Sequence, residues 1–144
     1  MDLLVHRFQL VYAKLKRCLE SEIMREMGAQ ITPPQMFMLN YINKEKLCRL
    51  TQLADKMEVK PSAVTVMIDR LEKSGYVTRV HDTVDRRSIL VKITPAGMDI
   101  LARATAVRNR IIGHYLSRLE TEEIEEVTAL LEKMLNIAPG DSLE

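Results

Sequence analysis

Tryptophan is absent from this 144-residue chain, and Phe and Tyr together supply only 4% of it. A core of stacked rings is therefore excluded, and the 47% hydrophobic content must pack as Leu, Ile, Val, Ala and nine Met. Cysteine is nearly absent too. Cys18 and Cys48 make no disulfide framework, and His6, His81 and His114 form no His-x-x-x-His or Cys-x-x-Cys spacing, so no metal is expected. No apolar run reaches the ~18 residues of a membrane span and no signal-peptide pattern opens the chain, which points to a cytoplasmic protein without membrane contact. Nucleophilic triads, phosphate-cradling glycine loops and paired carboxylates are also missing, so neither an enzyme nor a cofactor is expected. Finally, neither sign of charge dominates: 21 Lys/Arg face 20 Asp/Glu.

That balance hides an uneven distribution. Residues 44–92 carry eleven basic and seven acidic side chains, residues 93–144 five and nine, and residues 1–43 five and four. The positive stretch is the electrostatic footprint expected of a surface that meets phosphate.

Helical periodicity dominates the ends of the chain. Leu4, Phe8, Val11, Leu15, Leu19, Ile23 and Met27 recur every three or four residues, with Gly28 as the stop. Thr32-Pro33-Pro34-Gln35 then reads as a capping box that starts a second helix to about Lys44, burying some of Phe37, Met38, Tyr41 and Ile42. Thr94-Pro95 opens a long helix to about Leu119. Thr121, with Glu122 and Glu123 in the first turn, opens a last one whose buried stripe is Leu130, Leu131, Met134 and Leu135. Pro139-Gly140 marks where ordered chain ends.

The middle of the chain carries the functional signal. A short helix over Leu50–Met57, a turn at Glu58-Val59-Lys60 and a helix opened by Pro61 form a helix-turn-helix. On the second helix Val64, Ile68 and Leu71 cluster on one side, given 100° per residue, and Ser62, Val66, Asp69 and Lys73 lie opposite, flanked by Thr65 and Arg70. Ser74-Gly75 ends it. Two strand-like runs follow, Tyr76–His81 and Ser88–Ile93, joined by the projecting loop Asp82–Arg87. The fold class is thus mainly α with a small β-hairpin: a winged helix-turn-helix lobe over about 32–94, flanked by helices over about 3–28 and 95–137 in one domain spanning 1–144. Those flanking helices carry more apolar surface than so small a lobe can cover, which implies a two-fold homodimer built on them.

At this point the chain resembles the MarR family of winged helix-turn-helix transcriptional regulators. The matching residues are Gln35 through Leu39 to Ile42, Leu53-Ala54-Asp55, and Ser62…Thr65…Asp69-Arg70-Leu71-Glu72. Gly75, Arg79, Asp85-Arg86-Arg87 and Ile93-Thr94…Gly97 complete the match over residues 32–97. The resemblance implies a homodimer on a pseudo-palindromic double-stranded DNA operator, usually a repressor released by a small-molecule effector. Residues 61–74 correspond to the recognition helix and Arg87 to the wing arginine.

On that basis Lys60, Ser62, Ala63, Thr65, Val66, Arg70 and Lys73 form the expected recognition-helix contacts, and Asp85, Arg86 and Arg87 the wing contacts. Hydroxyls reach base edges or phosphates, Val66 meets a thymine methyl, and Arg70 reaches guanine or phosphate. Arg87 enters a narrow minor groove with Asp85 steadying its guanidinium, while Arg86 and Lys73 touch phosphate. Lys60 replaces the family's usual Ser or Thr and leaves the helix without a side-chain cap; a DNA phosphate would relieve that cation's conflict with the helix dipole. Plainer accounts stand beside these. Arg70 pairs with Asp69 or Glu72 on a solvated helix, Arg87 is a solvated hairpin tip, and the wing meets an acidic protein, making the chain a protein–protein adaptor. Oxidant sensing by Cys18 or Cys48 competes with their role as small hydrophobes.

Overall fold

A computed structural model describes residues 1–138 and 141. They divide into two compact units, Met1–Arg108 and Asn109–Glu144, with the boundary inside one helix. The helices are α1 (Asp2–Met27), α2 (Pro33–Glu45), α3 (Leu50–Met57), α4 (Pro61–Lys73), α5 (Pro95–Leu116) and α6 (Thr121–Met134). The strands are β1 (Cys48–Arg49), β2 (Val77–His81) and β3 (Ile89–Ile93). The fold is mostly helical with one small antiparallel sheet in the order β1-β3-β2. Among the described residues no helix is long and apolar enough to cross a membrane.

Local chemistry explains the helix boundaries. Gly28 stops α1 in the left-handed region at φ 60°, its N–H bonding Met24 O at 3.0 Å. At α2, Gln35 N–H donates to Thr32 Oγ1 (3.3 Å) while Thr32 N–H donates to Gln35 Oε1 (2.9 Å), the reciprocal box read from the sequence. α3 and α6 use half of that device: Gln52 Oε1 accepts from Arg49 N–H (2.8 Å), and Glu123 Oε2 accepts from Glu120 N–H (2.9 Å). β1 was not anticipated, because two residues cannot display a period of two. It pairs Cys48 with Val91 and Arg49 with Leu90, which makes β3 the central strand.

The core of the first unit is wholly apolar. Val64, Ile68 and Leu71 of α4 join Leu53 and Ala54 of α3, Met38, Leu39 and Ile42 of α2, and Val77 and Val91 of the sheet. Met27, Ile31, Cys48, Ile100, Leu101 and Ala104 complete it. Of the four α2 candidates, Met38 and Ile42 are buried, Tyr41 is partly buried and Phe37 is half exposed, while Leu39 also takes an inward place. Along α1 the apolar stripe is exposed from Leu4 to Leu15, partly buried at Leu19 and Ile23, and buried only at Met27.

The second unit corrects a further expectation. Leu130, Leu131 and Met134 of α6 and its C-cap Leu135 are exposed, and the helix buries none of its residues in the single chain. α5 also ends at Leu116, three residues early, in a turn where Ser117 Oγ donates to His114 O (2.7 Å). Pro139-Gly140, read as the end of ordered chain, lies outside the described residues.

One close approach ties α5 to the sheet. Thr94 Oγ1 donates to Gly75 O (2.5 Å) and accepts from Gly97 N–H (3.0 Å), and Thr94 N–H donates to Tyr76 O (3.0 Å). A Cβ on Gly97 would collide with Tyr76 O and stand 2.7 Å from Ile93 Cγ1, and a backbone oxygen has little freedom to yield. Gly97→Ala is therefore expected to lower stability by about 1–3 kcal/mol, as overpacking typically does. Urea unfolding would register this as a lower midpoint at unchanged slope.

Candidate nucleic-acid interface

The turn between α3 and α4 is made by backbone alone. Glu58 adopts φ 53° and ψ 42°, Glu58 N–H bonds Asp55 O (3.3 Å), and Val59 N–H bonds Ala54 O (3.1 Å). A non-glycine residue rarely occupies this region, so the turn geometry is held by the helices packed on either side. Lys60 then caps α4 by position only, without a side-chain hydrogen bond, and Pro61 occupies the first turn.

With Val64, Ile68 and Leu71 buried, α4 leaves Ser62, Ala63, Thr65, Val66, Arg70 and Lys73 exposed together. Thr65 Oγ1 donates to Pro61 O (3.1 Å), which spends its proton and leaves lone pairs for an outside donor. Arg70 does not pair with its helical neighbours. Asp69 and Glu72 are both held by Arg79 of β2, at 2.5 Å and 2.6 Å, so among the described residues Arg70 forms no ion pair. The bonds from Asp69, ahead of those from Glu72, hold the Arg79 guanidinium even more firmly protonated than usual. Arg79 appeared in the sequence only as a matched position. Its role was illegible there because nothing in the spacing connects residues 69, 72 and 79 until the hairpin folds against α4.

The wing takes its shape from two aspartates. Asp82 Oδ1 accepts from Val84 N–H (2.9 Å) and its Oδ2 meets Arg49 Nη2 (3.4 Å). The Val84 N–H, chiefly, holds the partly buried Asp82 carboxyl below its ordinary range. Asp85 Oδ1 accepts from Arg87 N–H (3.0 Å) and Oδ2 from Ser88 Oγ (3.2 Å). This revises the expected contact: Asp85 grips the backbone of Arg87, not its guanidinium, because a two-residue Asx turn is closer than the end of a long side chain. Arg86 and Arg87 are exposed and form no ion pair among the described residues, and Val84 at the tip is 94% exposed.

Cys48 is fully buried opposite Val91, and burial, with a smaller contribution from Glu45, pushes its thiol up to about 11. A thiol held protonated and covered makes a poor oxidant sensor. Cys18 is partly buried on α1. No group of three or more His, Cys, Asp or Glu among the described residues could hold a metal.

Comparison with known proteins agrees with this geometry. A family model described as MarR family matches residues 31–89. The chain is 36% identical over 141 residues to the HTH-type transcriptional repressor MdtR of Bacillus subtilis (strain 168), covering 97% of this chain and 91% of that one. Among solved structures it is similar to a MepR-like protein complexed with pseudoligands, at 38% identity, 90% coverage of each chain and a TM-score of 0.65. It is also similar to a mutant of MarR from Escherichia coli complexed with operator DNA, at 26% identity, a TM-score of 0.70, and coverage of 92% of this chain and 93% of that one.

Two outcomes follow from the side-chain geometry. In a Cys18→Ser background, Cys48 should resist an aromatic disulfide reagent at pH 8 while the protein is folded and react fully in urea; rapid native labelling would mean the β1–β3 pairing is open. Asp85→Ala should raise amide exchange across residues 82–88 with little change in the global unfolding midpoint, because the bonds lost are local and exposed.

Proposed function

Because this chain belongs to the MarR family and is a DNA-binding transcriptional regulator, we propose that it works as a homodimeric, sequence-specific repressor released by a small ligand. α4 enters the major groove and the hairpin wing enters the flanking minor groove. The observation that carries this is the exposed face of Ser62, Thr65, Val66, Arg70 and Lys73, set in the same compact unit as a wing whose two arginines are left uncommitted. Arg70 is free to reach guanine or phosphate, and Thr65 presents acceptors or its methyl group to a base edge. Arg87 suits the concentrated negative potential of a narrow A·T minor groove, and Arg86 and Lys73 add affinity through phosphate. Lys60, at an uncapped helix start, would find its missing anion in the DNA backbone.

The homodimer is supported by apolar surface that the single chain leaves uncovered. Leu3, Leu4, Phe8, Val11 and Leu15 of α1 are exposed, and so are Leu130, Leu131 and Met134 of α6 and its C-cap Leu135. A second copy covers such surface with two-fold symmetry and sets two recognition helices about one DNA turn apart, ~34–36 Å, matching a pseudo-palindromic operator. Release by a ligand requires that the ligand prefer an arrangement with a different spacing. Support for a ligand comes from the similar MepR-like protein, which was solved with pseudoligands.

Gel-shift titration against DNA upstream of the gene tests this directly. Arg87→Ala and Arg70→Ala should each cost about 1–3 kcal/mol of specific binding, roughly five- to 150-fold. Lys73→Ala should weaken all sequences alike and lower the salt slope by about one. Sedimentation at micromolar concentration should give twice the 16.5 kDa chain mass. Equal affinity for every DNA, or none, would favour a protein–protein adaptor, and a stable monomer would remove the basis for operator spacing.

A further inference from the structure

Asp69 and Glu72 pose an electrostatic problem on α4. They flank Arg70 and precede Lys73 on the helix assigned above to DNA, and their side chains are 58% and 41% exposed. Bare carboxylates on a surface that approaches phosphate repel it, and both lie within one helical turn of the cations that would bind it.

A single residue answers for both. Arg79 stands on β2 opposite Val91, on the same strand face as buried Val77, so its backbone is fixed at the rim of the core. Its Nη2 donates to Asp69 Oδ1 (2.5 Å) and its Nη1 to Glu72 Oε1 (2.6 Å). Glu72 Oε2 also accepts from Arg79 N–H (3.3 Å), so that carboxylate is held at both oxygens by one residue. The Arg79 side chain is only 26% exposed, which favours protein carboxylates over water as its partners. Arg70, one residue from Asp69, is thereby released from the pairing a lone helix would impose.

From this geometry we propose that Arg79 is a positioning residue for operator binding, which screens Asp69 and Glu72 from DNA phosphates and keeps Arg70 available. The proposal rests on the DNA-reading role of α4. It differs from a purely mechanical tie between α4 and β2, because a tie fails when either end is cut, whereas a screen becomes unnecessary once the charges it covers are gone.

Fluorescence anisotropy on an upstream operator fragment separates the two, with circular dichroism as the check on folding. Wild type should bind specifically and bind more weakly, by roughly five- to 150-fold, on Arg87→Ala; if it binds no DNA specifically, the role of α4 and this proposal fall together. Arg79→Ala should weaken binding about tenfold or more in low salt, with the deficit shrinking as salt rises. Arg79→Lys, which keeps the charge, should restore most of the affinity. Asp69→Ala/Glu72→Ala with Arg79 intact should bind at least as tightly as wild type, and the triple variant should recover to within about threefold of it, since no unscreened carboxylate remains. A triple variant no better than Arg79→Ala, or a tenfold loss in the double variant, would leave only the mechanical tie and overturn the proposal. Should Arg79→Ala not fold, the double variant decides alone.

Discussion

The burial of Val64, Ile68 and Leu71 is the constraint on which the rest of this protein depends. Those three side chains anchor α4 against α3, α2 and the sheet, and each contributes about 1.5–3 kcal/mol when fully removed from water. Their spacing also decides what faces outward. Once they are buried, Ser62, Thr65, Val66 and Arg70 have no orientation left except toward solvent or DNA. The exposed face of α4 is therefore a by-product of packing, and a helix that rolled on its axis would lose core and exposed face together.

The acidic residues of the lobe serve the basic ones. Asp82 and Asp85 each spend one oxygen on a wing backbone N–H and the other on Arg49 and Ser88 respectively, which shapes the wing and leaves Arg86 and Arg87 uncommitted. Asp69 and Glu72 are taken by Arg79, which leaves Arg70 uncommitted. A near-neutral chain can in this way present a basic surface without an excess of Lys and Arg, because what matters to phosphate is which charges remain unpaired where it arrives.

Stability is unevenly supplied. The first unit closes a core with no buried polar side chain among the described residues, and Thr94 and Gly97 lock the start of α5 onto that core. The amino-terminal half of α1 and the whole of α6 contribute little burial within one chain. An unpartnered apolar surface of this kind makes the order of those helices a function of protein concentration in any account where a second copy covers them.

By itself the sequence determined the helices, the capping box at Thr32 and Gln35, the uncapped start at Lys60 and the inward trio of α4, because each is written in neighbours within about four residues, the reach of a helical turn. It also carried enough family-specific residues between 32 and 97 for the likeness to be seen. Only the tertiary structure decided which charges are spent. The grip of Arg79 on Asp69 and Glu72, the turn of Asp85 toward the Arg87 backbone, the strand at Cys48–Arg49 and the closeness of Gly97 to Tyr76 all join residues through space. Electrostatic partners and close contacts are set by distances between elements, and a linear pattern holds no such distances until the core has closed.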